Sequence, residues 1–278
     1  MKSSPIAMRN IKNTLRDWLP PAILRIIQKI LMDRHQIKFH GDYQTWKQAE
    51  DDSCGYNQDV ILEKVKIATL KVKNGEAMYE RDSVLFDHIQ YSWSILAGLM
   101  WAASQNQGRL DVIDFGGSLG STYFQNRKFL APLPEVHWNI IEQSNFVTCG
   151  QNFIQDDHLH FYSTVCECLI HRSPNVILLS GVLPYVEDWI TTLKDLLAKR
   201  IPIVLVDRTY FVLDGDEKIT VQIVPESIYT ASYPCRFLNK EKFIQIFNEA
   251  GYELVEEFLT QDRFTIPLLH RGFIFSMN

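Results

Sequence analysis

The stretch Asp114-Phe115-Gly116-Gly117-Ser118-Leu119-Gly120 sets an acid and three glycines directly after a short apolar run, Asp111–Phe115. Glycines let the backbone approach a ligand closely, and a strand-to-helix turn is where open parallel sheets hold nucleotide-like molecules. The chemistry on offer is therefore ligand binding at a sheet edge. Glycines that serve packing alone in a tight turn are the alternative.

Spacing separates the ligands that use such turns. The nicotinamide fingerprint Gly-x-Gly-x-x-Gly fails, because Ser118 and Ser121 stand where its second and third glycines belong when counted from Gly116. A phosphate loop fails too, since no Gly-Lys-Ser/Thr follows. An acid followed by Gly-x-Gly-x-Gly fits at Asp114, Gly116 and Gly120, with Gly117 inside it and Ser118 at the central glycine. That pattern passes the amino-acid end of S-adenosylmethionine, and Asp114 would organise the turn and the donor's ammonium. Glu142 ends the second apolar run, where a carboxylate can accept both hydroxyls of a ribose.

Ser180-Gly181-Val182-Leu183-Pro184-Tyr185 follows the fourth run, at the edge where methyl donor and acceptor would meet. The Asn/Asp/Ser-Pro-Pro-aromatic signature of amino-group methylation is absent, which disfavours nucleic-acid amines. Asp207-Arg208-Thr209 ends the fifth run. Asp207 can accept a proton from a hydroxyl, and Arg208 can hold an anion bidentately. A structural ion pair between the two is an equal alternative. Tyr185 joins them as a catalytic candidate. Tyr210, Tyr229 and Tyr233, with Arg236, supply the aromatic and polar groups a sugar-like acceptor needs.

The elements that must position these residues follow from periodicity. From Leu110 onward, strands alternate with helices, the pattern of a parallel sheet covered on both faces. Strands are expected at Asp111–Phe115, Val136–Glu142, Leu159–Tyr162, Val176–Ser180 and Ile201–Asp207. A helix face runs through Ile190, Leu193, Leu196 and Leu197. Asn239 caps another helix, Leu238 and Phe243 form a hydrophobic staple, and Gly251 ends it. Two last strands, Tyr252–Phe258 and Arg271–Ser276, make an antiparallel pair. Residues 41–108 read as mostly helical, with Gly108 closing the last helix. The expected organisation is a basic amphipathic segment 1–40, a helical cap 41–108 and an α/β domain 109–278. The fold class is α/β: a Rossmann-like, seven-stranded, mostly parallel sheet of the class I S-adenosylmethionine-methyltransferase type.

With 46% hydrophobic and 22% charged residues the composition is that of an ordinary globular protein. The net charge of −5 argues against a general nucleic-acid binder. Five scattered cysteines suit a reduced, cytoplasmic setting, and Cys166-x-Cys168 lacks the spacing of a structural metal site, so none is expected. Residues 1–31 carry Lys2, Arg9, Lys12, Arg16, Arg25 and Lys29 against Asp17 alone. With Trp18, Leu19, Ile23, Ile26, Ile27 and Ile30 they suit either packing on the protein's own core or peripheral contact with an anionic membrane face. No run approaches the roughly 20 apolar residues of a membrane span.

Several of these stretches together resemble S-adenosylmethionine-dependent methyltransferases encoded in bacterial surface-polysaccharide loci, for O-antigen and capsule. They are Trp46-Lys47-Gln48-Ala49 with Gly55-Tyr56, Tyr79-Glu80-Arg81-Asp82, the glycine turn, Ser180–Tyr185, Asp207-Arg208-Thr209, and Ile228-Tyr229-Thr230-Ala231-Ser232-Tyr233-Pro234. The resemblance implies a class I fold and a glycan-related acceptor, methylated at a sugar hydroxyl or a sugar-bound group. It makes Arg81 a candidate for the donor's carboxylate, against an equal alternative of a clamp holding the helical region to the core. Ser180 and Gly181 would line the donor. Two other functions are weighed beside this one: a nicotinamide-dependent oxidoreductase, and a non-catalytic scaffold at a glycan assembly site.

Overall fold

The computed structural model describes residues 37–54, 58–225, 228, 231–260 and 269–277. Strand β1 (Lys38–Tyr43), helices α1 (Trp46–Asp51) and α2 (Gln58–Lys73), the hairpin β2 (Tyr79–Arg81) and β3 (Val84–Phe86), and helix α3 (Trp93–Gln105) come first. Then follow β4 (Arg109–Phe115), α4 (Ser121–Leu130), β5 (Glu135–Ile141), α5 (Ser144–Cys149), β6 (Leu159–Tyr162) and α6 (Val165–His171). The chain continues through β7 (Val176–Ser180), α7 (Trp189–Leu197), β8 (Ile203–Phe211), β9 (Lys218–Ile223) and β10 (Ser232–Phe237). It ends in α8 (Lys240–Glu249), β11 (Tyr252–Leu259) and β12 (Leu269–Met277).

Seven strands form one sheet in the order β11-β12-β8-β7-β4-β5-β6. Strands β4 to β8 pair in parallel, and β12 runs antiparallel to both its neighbours, β8 and β11. This is the class I methyltransferase arrangement expected from the sequence. Alternate residues point to opposite faces of a strand, and each face here has its own core. Val112, Leu178 and Leu205 pack with Ile61, Val65 and Leu99 on one side. Ile113, Ile177, Val204 and Val206 pack with Phe243, Phe247 and Phe273 on the other. Both faces are covered, which is why the central strands read as unbroken apolar runs.

The helix punctuation also matches. The Asn239 side chain accepts from the Lys242 backbone N–H at 2.9 Å, Leu238 and Phe243 are both fully buried, and Gly251 takes φ +82° after α8. Residues 41–108 depart from the mostly helical expectation. Residues 79–86 form the β2–β3 hairpin, turned by Asp82 and Ser83 at φ +52° and +67°. Such turns usually announce themselves by Asn-Gly or Asp-Gly, and Asp-Ser carries no such signal. Strand β1 pairs with β9, itself paired with β10, so a second, three-stranded sheet joins residues distant in sequence. Residues 1–31, Gly55-Tyr56 and Tyr229-Thr230 lie outside the described residues.

One irregularity bears directly on the site. On β8, Val206 pairs with Phe273 and Thr209 with Arg271, so Asp207 and Arg208 together oppose the single residue Gly272. This is a β-bulge, and Arg208 takes φ +49° within it. A Cβ at Gly272 would stand 2.8 Å from the Val206 carbonyl oxygen and inside the Phe258 ring. Gly272→Ala should therefore destabilise the fold by about 1–3 kcal/mol, the range for overpacking. A lowered urea midpoint at unchanged slope would show it; an unaltered midpoint would refute the steric reading.

Candidate functional site

Strand β4 delivers Asp114 to the turn almost wholly buried, 1% exposed. The Trp138 indole N–H donates to its Oδ2 at 2.9 Å. A Cβ at Gly117 would lie 2.5 Å from the Asp114 carboxyl carbon, so the acid fills the space under a glycine. Gly116 and Gly120 take φ +72° and +95°, conformations open to glycine. Ser118 takes φ +53° at the central position. A side chain in that region costs about 1–2 kcal/mol, which explains why the pattern prefers glycine there.

Glu142, just past β5, reaches back to this turn. Its Oε1 accepts from the Ser118 N–H at 3.2 Å, and its Oε2 accepts from the Gln143 N–H at 2.8 Å. The two features singled out in the sequence thus touch. Burial raises the Glu142 carboxyl, against the pull of those two N–H donors. Asp114 rises to about 7, driven by burial and by the Glu142 charge and opposed by Trp138 and Arg208.

Beside the turn opens a cleft. Its walls come from four places. β2 contributes Tyr79 and Arg81, and the approach to α3 with its first turn contributes Gln90, Ser92 and Ile95. The first turns of α4 contribute Ser121, Thr122 and Gln125, and the ends of β7 and β8 contribute Ser180, Asp207 and Arg208. The Arg208 Nε and Nη2 both donate to Ser180 Oγ at 3.3 Å. Burial raises Tyr79 to about 12 and Glu80 to about 7, and the Arg208 charge opposes both rises, as it does for Asp114. The guanidinium is therefore central to the site.

The expected residues divide into two groups. Arg81, Ser180, Asp207 and Arg208 line the cleft, while Asp114, Gly116, Gly117, Gly120 and Glu142 build the adjoining turn. Gly181 takes φ +67°, and a Cβ there would make ordinary contact with the Arg208 Nε at 3.6 Å. Tyr185, Tyr210 and Tyr233 gather elsewhere, under the β1–β9–β10 sheet. The Tyr185 hydroxyl donates to Gln222 Oε1 at 2.8 Å, and Gln222 Nε2 donates to the Tyr233 hydroxyl at 3.0 Å. Tyr210 stacks on His270, ring centroids 4.7 Å apart, beside Phe39 and Phe237. Burial pushes the Tyr185 hydroxyl well up, so it stays protonated. Tyr229 lies outside the described residues. Among the described residues no group of three His, Cys, Asp or Glu could hold a metal, and no helix is long and apolar enough to cross a membrane.

Sequence reasoning missed Glu80. It is 1% exposed, its Oε1 accepts from the Ser121 hydroxyl, and its Oε2 accepts from the Ser83 N–H at 3.3 Å. Gln125 was missed as well; its Nε2 donates to the Gln90 carbonyl and, at 3.3 Å, to the Tyr79 hydroxyl. Glu80 lies within the Tyr79–Asp82 stretch, but the inward face of a three-residue strand cannot be read without its partner.

No described protein family matches the chain, and no curated protein does. Among solved structures it is similar to the N-terminal domain of EvdMO1 in the presence of S-adenosylhomocysteine and D-fucose. That likeness has 13% identity and a TM-score of 0.44, over 80% of this chain and 98% of that one. A methyltransferase from Clostridium acetobutylicum shows 9% identity and a TM-score of 0.45, over 68% and 93%. Magnesium protoporphyrin IX methyltransferase from Synechocystis shows 11% and 0.44, over 78% and 97%. At these values the likenesses carry no statement about what this chain binds, and the fold stands on its strand order.

The raised acids predict a pH dependence. Glu80 and Asp114 go from 4.5 and 3.8 to about 7, so between those limits the folded protein holds protons that the unfolded chain has released. Their contribution to stability is full at acid pH and is lost as pH rises through 7. Glu80→Gln removes its share. Between pH 5 and pH 8 the wild type should lose on the order of 1–3 kcal/mol relative to that variant. Urea unfolding at both pH values checks it, and identical slopes for the two proteins would sink it.

Proposed function

We propose that this chain is an S-adenosylmethionine-dependent methyltransferase acting on a hydroxyl of a sugar or glycan precursor. The observation that carries the reading is the hydrogen bond from the Ser118 N–H to Glu142. It joins the left-handed glycine turn after β4 to a carboxylate after β5. Strand β4 lies between β5 and β7, so the turn and the carboxylate meet at the point where the strand order reverses.

The residues present fit the donor. Each Glu142 oxygen takes one backbone N–H and retains a lone pair for a ribose hydroxyl. The glycine turn offers backbone without side chains to the amino-acid end, and Arg81 offers a guanidinium to its carboxylate. S-adenosylmethionine, when bound, supplies a methyl group on a positively charged sulfur. Such transfer asks mainly for alignment and exclusion of water. Ser180 and Asp207 would face the acceptor, with Asp207 accepting the hydrogen of its hydroxyl. The cleft's hydroxyl and amide walls, Ser92, Ser121, Thr122, Gln90 and Gln125, suit a polyhydroxylated acceptor. Peripheral membrane contact by residues 1–31 belongs to the same proposal. Liposome flotation should lose its dependence on anionic lipid when they are deleted, and unchanged flotation removes that part.

Calorimetric titration with S-adenosylhomocysteine tests the donor. Saturable one-to-one binding is expected, and no heat from it or from S-adenosylmethionine, in folded protein, would end the proposal. Glu142→Ala should weaken that binding about 10-fold or more, because hydrogen bonds to a charged group are worth roughly 1.5–3 kcal/mol. Unchanged affinity would strip Glu142 of its role.

A further inference from the structure

Hydrogen bonds inside the protein fix what the α4 wall of the cleft can offer a ligand. The Gln125 Nε2 donates to the Gln90 carbonyl and, at 3.3 Å, to the Tyr79 hydroxyl. A carbonyl only accepts, so the amide orientation is set and both N–H groups of Gln125 are committed. What this side chain has left for a ligand is the lone pairs of its Oε1. The Ser121 hydroxyl donates to Glu80 Oε1, so it too turns only lone pairs to the cleft. Both residues line the cleft, and a spacing of four on a helix makes them neighbours on one face. This stretch of wall accepts hydrogen bonds and does not donate them.

Behind it stands a carboxyl. Glu80 is 1% exposed, and its other oxygen is held by the Ser83 N–H at 3.3 Å. α4 opens at Gly120 without a side-chain cap, and the unbonded N–H groups of a helix start are positive. A cation beside Ser121 therefore needs a negative partner, and Glu80 is bonded to the hydroxyl that would receive it. We propose that Ser121 and Gln125 form a subsite for a primary ammonium group, with the Glu80 carboxylate as its counter-charge, acting through Ser121. An ammonium has three N–H donors and no acceptor, the complement of this wall. Within the methyl-donor reading, on which this rests, two ligands can carry it: the amino-acid end of S-adenosylmethionine, or an amino sugar as acceptor.

Glu80 also has a neutral state. Burial raises it to about 7; Asp82 on its own hairpin adds to the rise, and Ser121, the Ser83 N–H and the Arg208 charge on β8 oppose it. Once protonated it donates to the Ser121 oxygen, which turns the serine hydrogen toward the cleft and reverses the polarity of the subsite. Ammonium binding should accordingly be favoured above pH 7 and weakened below it.

Calorimetry on the full chain at pH 7.5 and pH 6 compares S-adenosylhomocysteine with its analogue lacking the amino group. With the protein saturated by S-adenosylhomocysteine, it also compares glucosamine with glucose. At pH 7.5 at least one amine should bind about 10-fold or more tightly than its counterpart without the amine, and which pair does so identifies the source. Both amines are cationic at pH 6, so a fall in the ratio there reports the protein. Glu80→Gln should lower the ratio at pH 7.5 and make it the same at both pH values. A carboxyl that merely fastens the hairpin to α4 would instead shift both members of a pair alike. Asp114 titrates in the same range, so a fall that persists in Glu80→Gln overturns the proposal. Ratios near one in the wild type at pH 7.5, or equal at the two pH values, do so as well. Ser121→Ala should also lower the ratio and serves where Glu80→Gln fails to fold; an unchanged ratio there is equally fatal. Absent binding of S-adenosylhomocysteine would instead overturn the donor reading, and this inference with it.

Discussion

The Asp114 carboxyl occupies the volume in which a side chain at residue 117 would stand, and much of the site follows from that exclusion. An acid this deeply buried needs a partner, and the Trp138 indole on the neighbouring strand provides it. The pair locks the end of β4 to β5. With Gly117 seated on the carboxyl, the next residues turn sharply, Ser118 enters the left-handed region, and its N–H points to Glu142. α4 can then begin at Ser121, which places Ser121, Thr122 and Gln125 on the wall of the cleft. A single buried polar contact thus sets the geometry of a turn, a helix start and a carboxylate.

Charge in the cleft is organised by burial. Glu80 and Asp114 lie near the Arg208 guanidinium, yet desolvation outweighs its attraction and lifts both acids to about 7. Desolvation wins because both groups are almost sealed from solvent, where the charged form is hard to support. The hairpin is fastened to α4 by Glu80 on Ser121 and by Tyr79 on Gln125. The wall carrying Arg81 is therefore attached to the same helix that the glycine turn launches.

Much of this was legible in the sequence, for identifiable reasons. Strands covered on both faces leave unbroken apolar runs, so β4, β5, β7 and β8 were readable, and the staple at Leu238 and Phe243 marked α8. Glu142 was readable as the carboxylate ending the second run, whereas its bond from the Ser118 N–H appears only in the structure. What escaped depends on partners remote in the chain. β1 and β9 are defined by each other, the hairpin turns at Asp82-Ser83 without a glycine, and Glu80 faces inward only because α4 lies beneath it. Tyr185, Tyr210 and Tyr233 were placed on the acceptor side by their positions after the fourth and fifth runs and in the insertion that follows. The β9–β10 insertion gathers them into a separate aromatic cluster.

The position of β12 has a consequence for the order in which the molecule can be made. It is the last of the described strands to leave a ribosome, yet it is inserted between β8 and β11. Until it arrives, β8 presents an open edge, and Asp207 and Arg208 have no Gly272 opposite them. The parallel strands can assemble earlier in synthesis, as domains do when their amino-terminal parts emerge first. The bulge cannot. A nascent chain would possess the glycine turn and the Glu142 carboxylate before it possessed the pair at the end of β8, so the two halves of the site mature at different times.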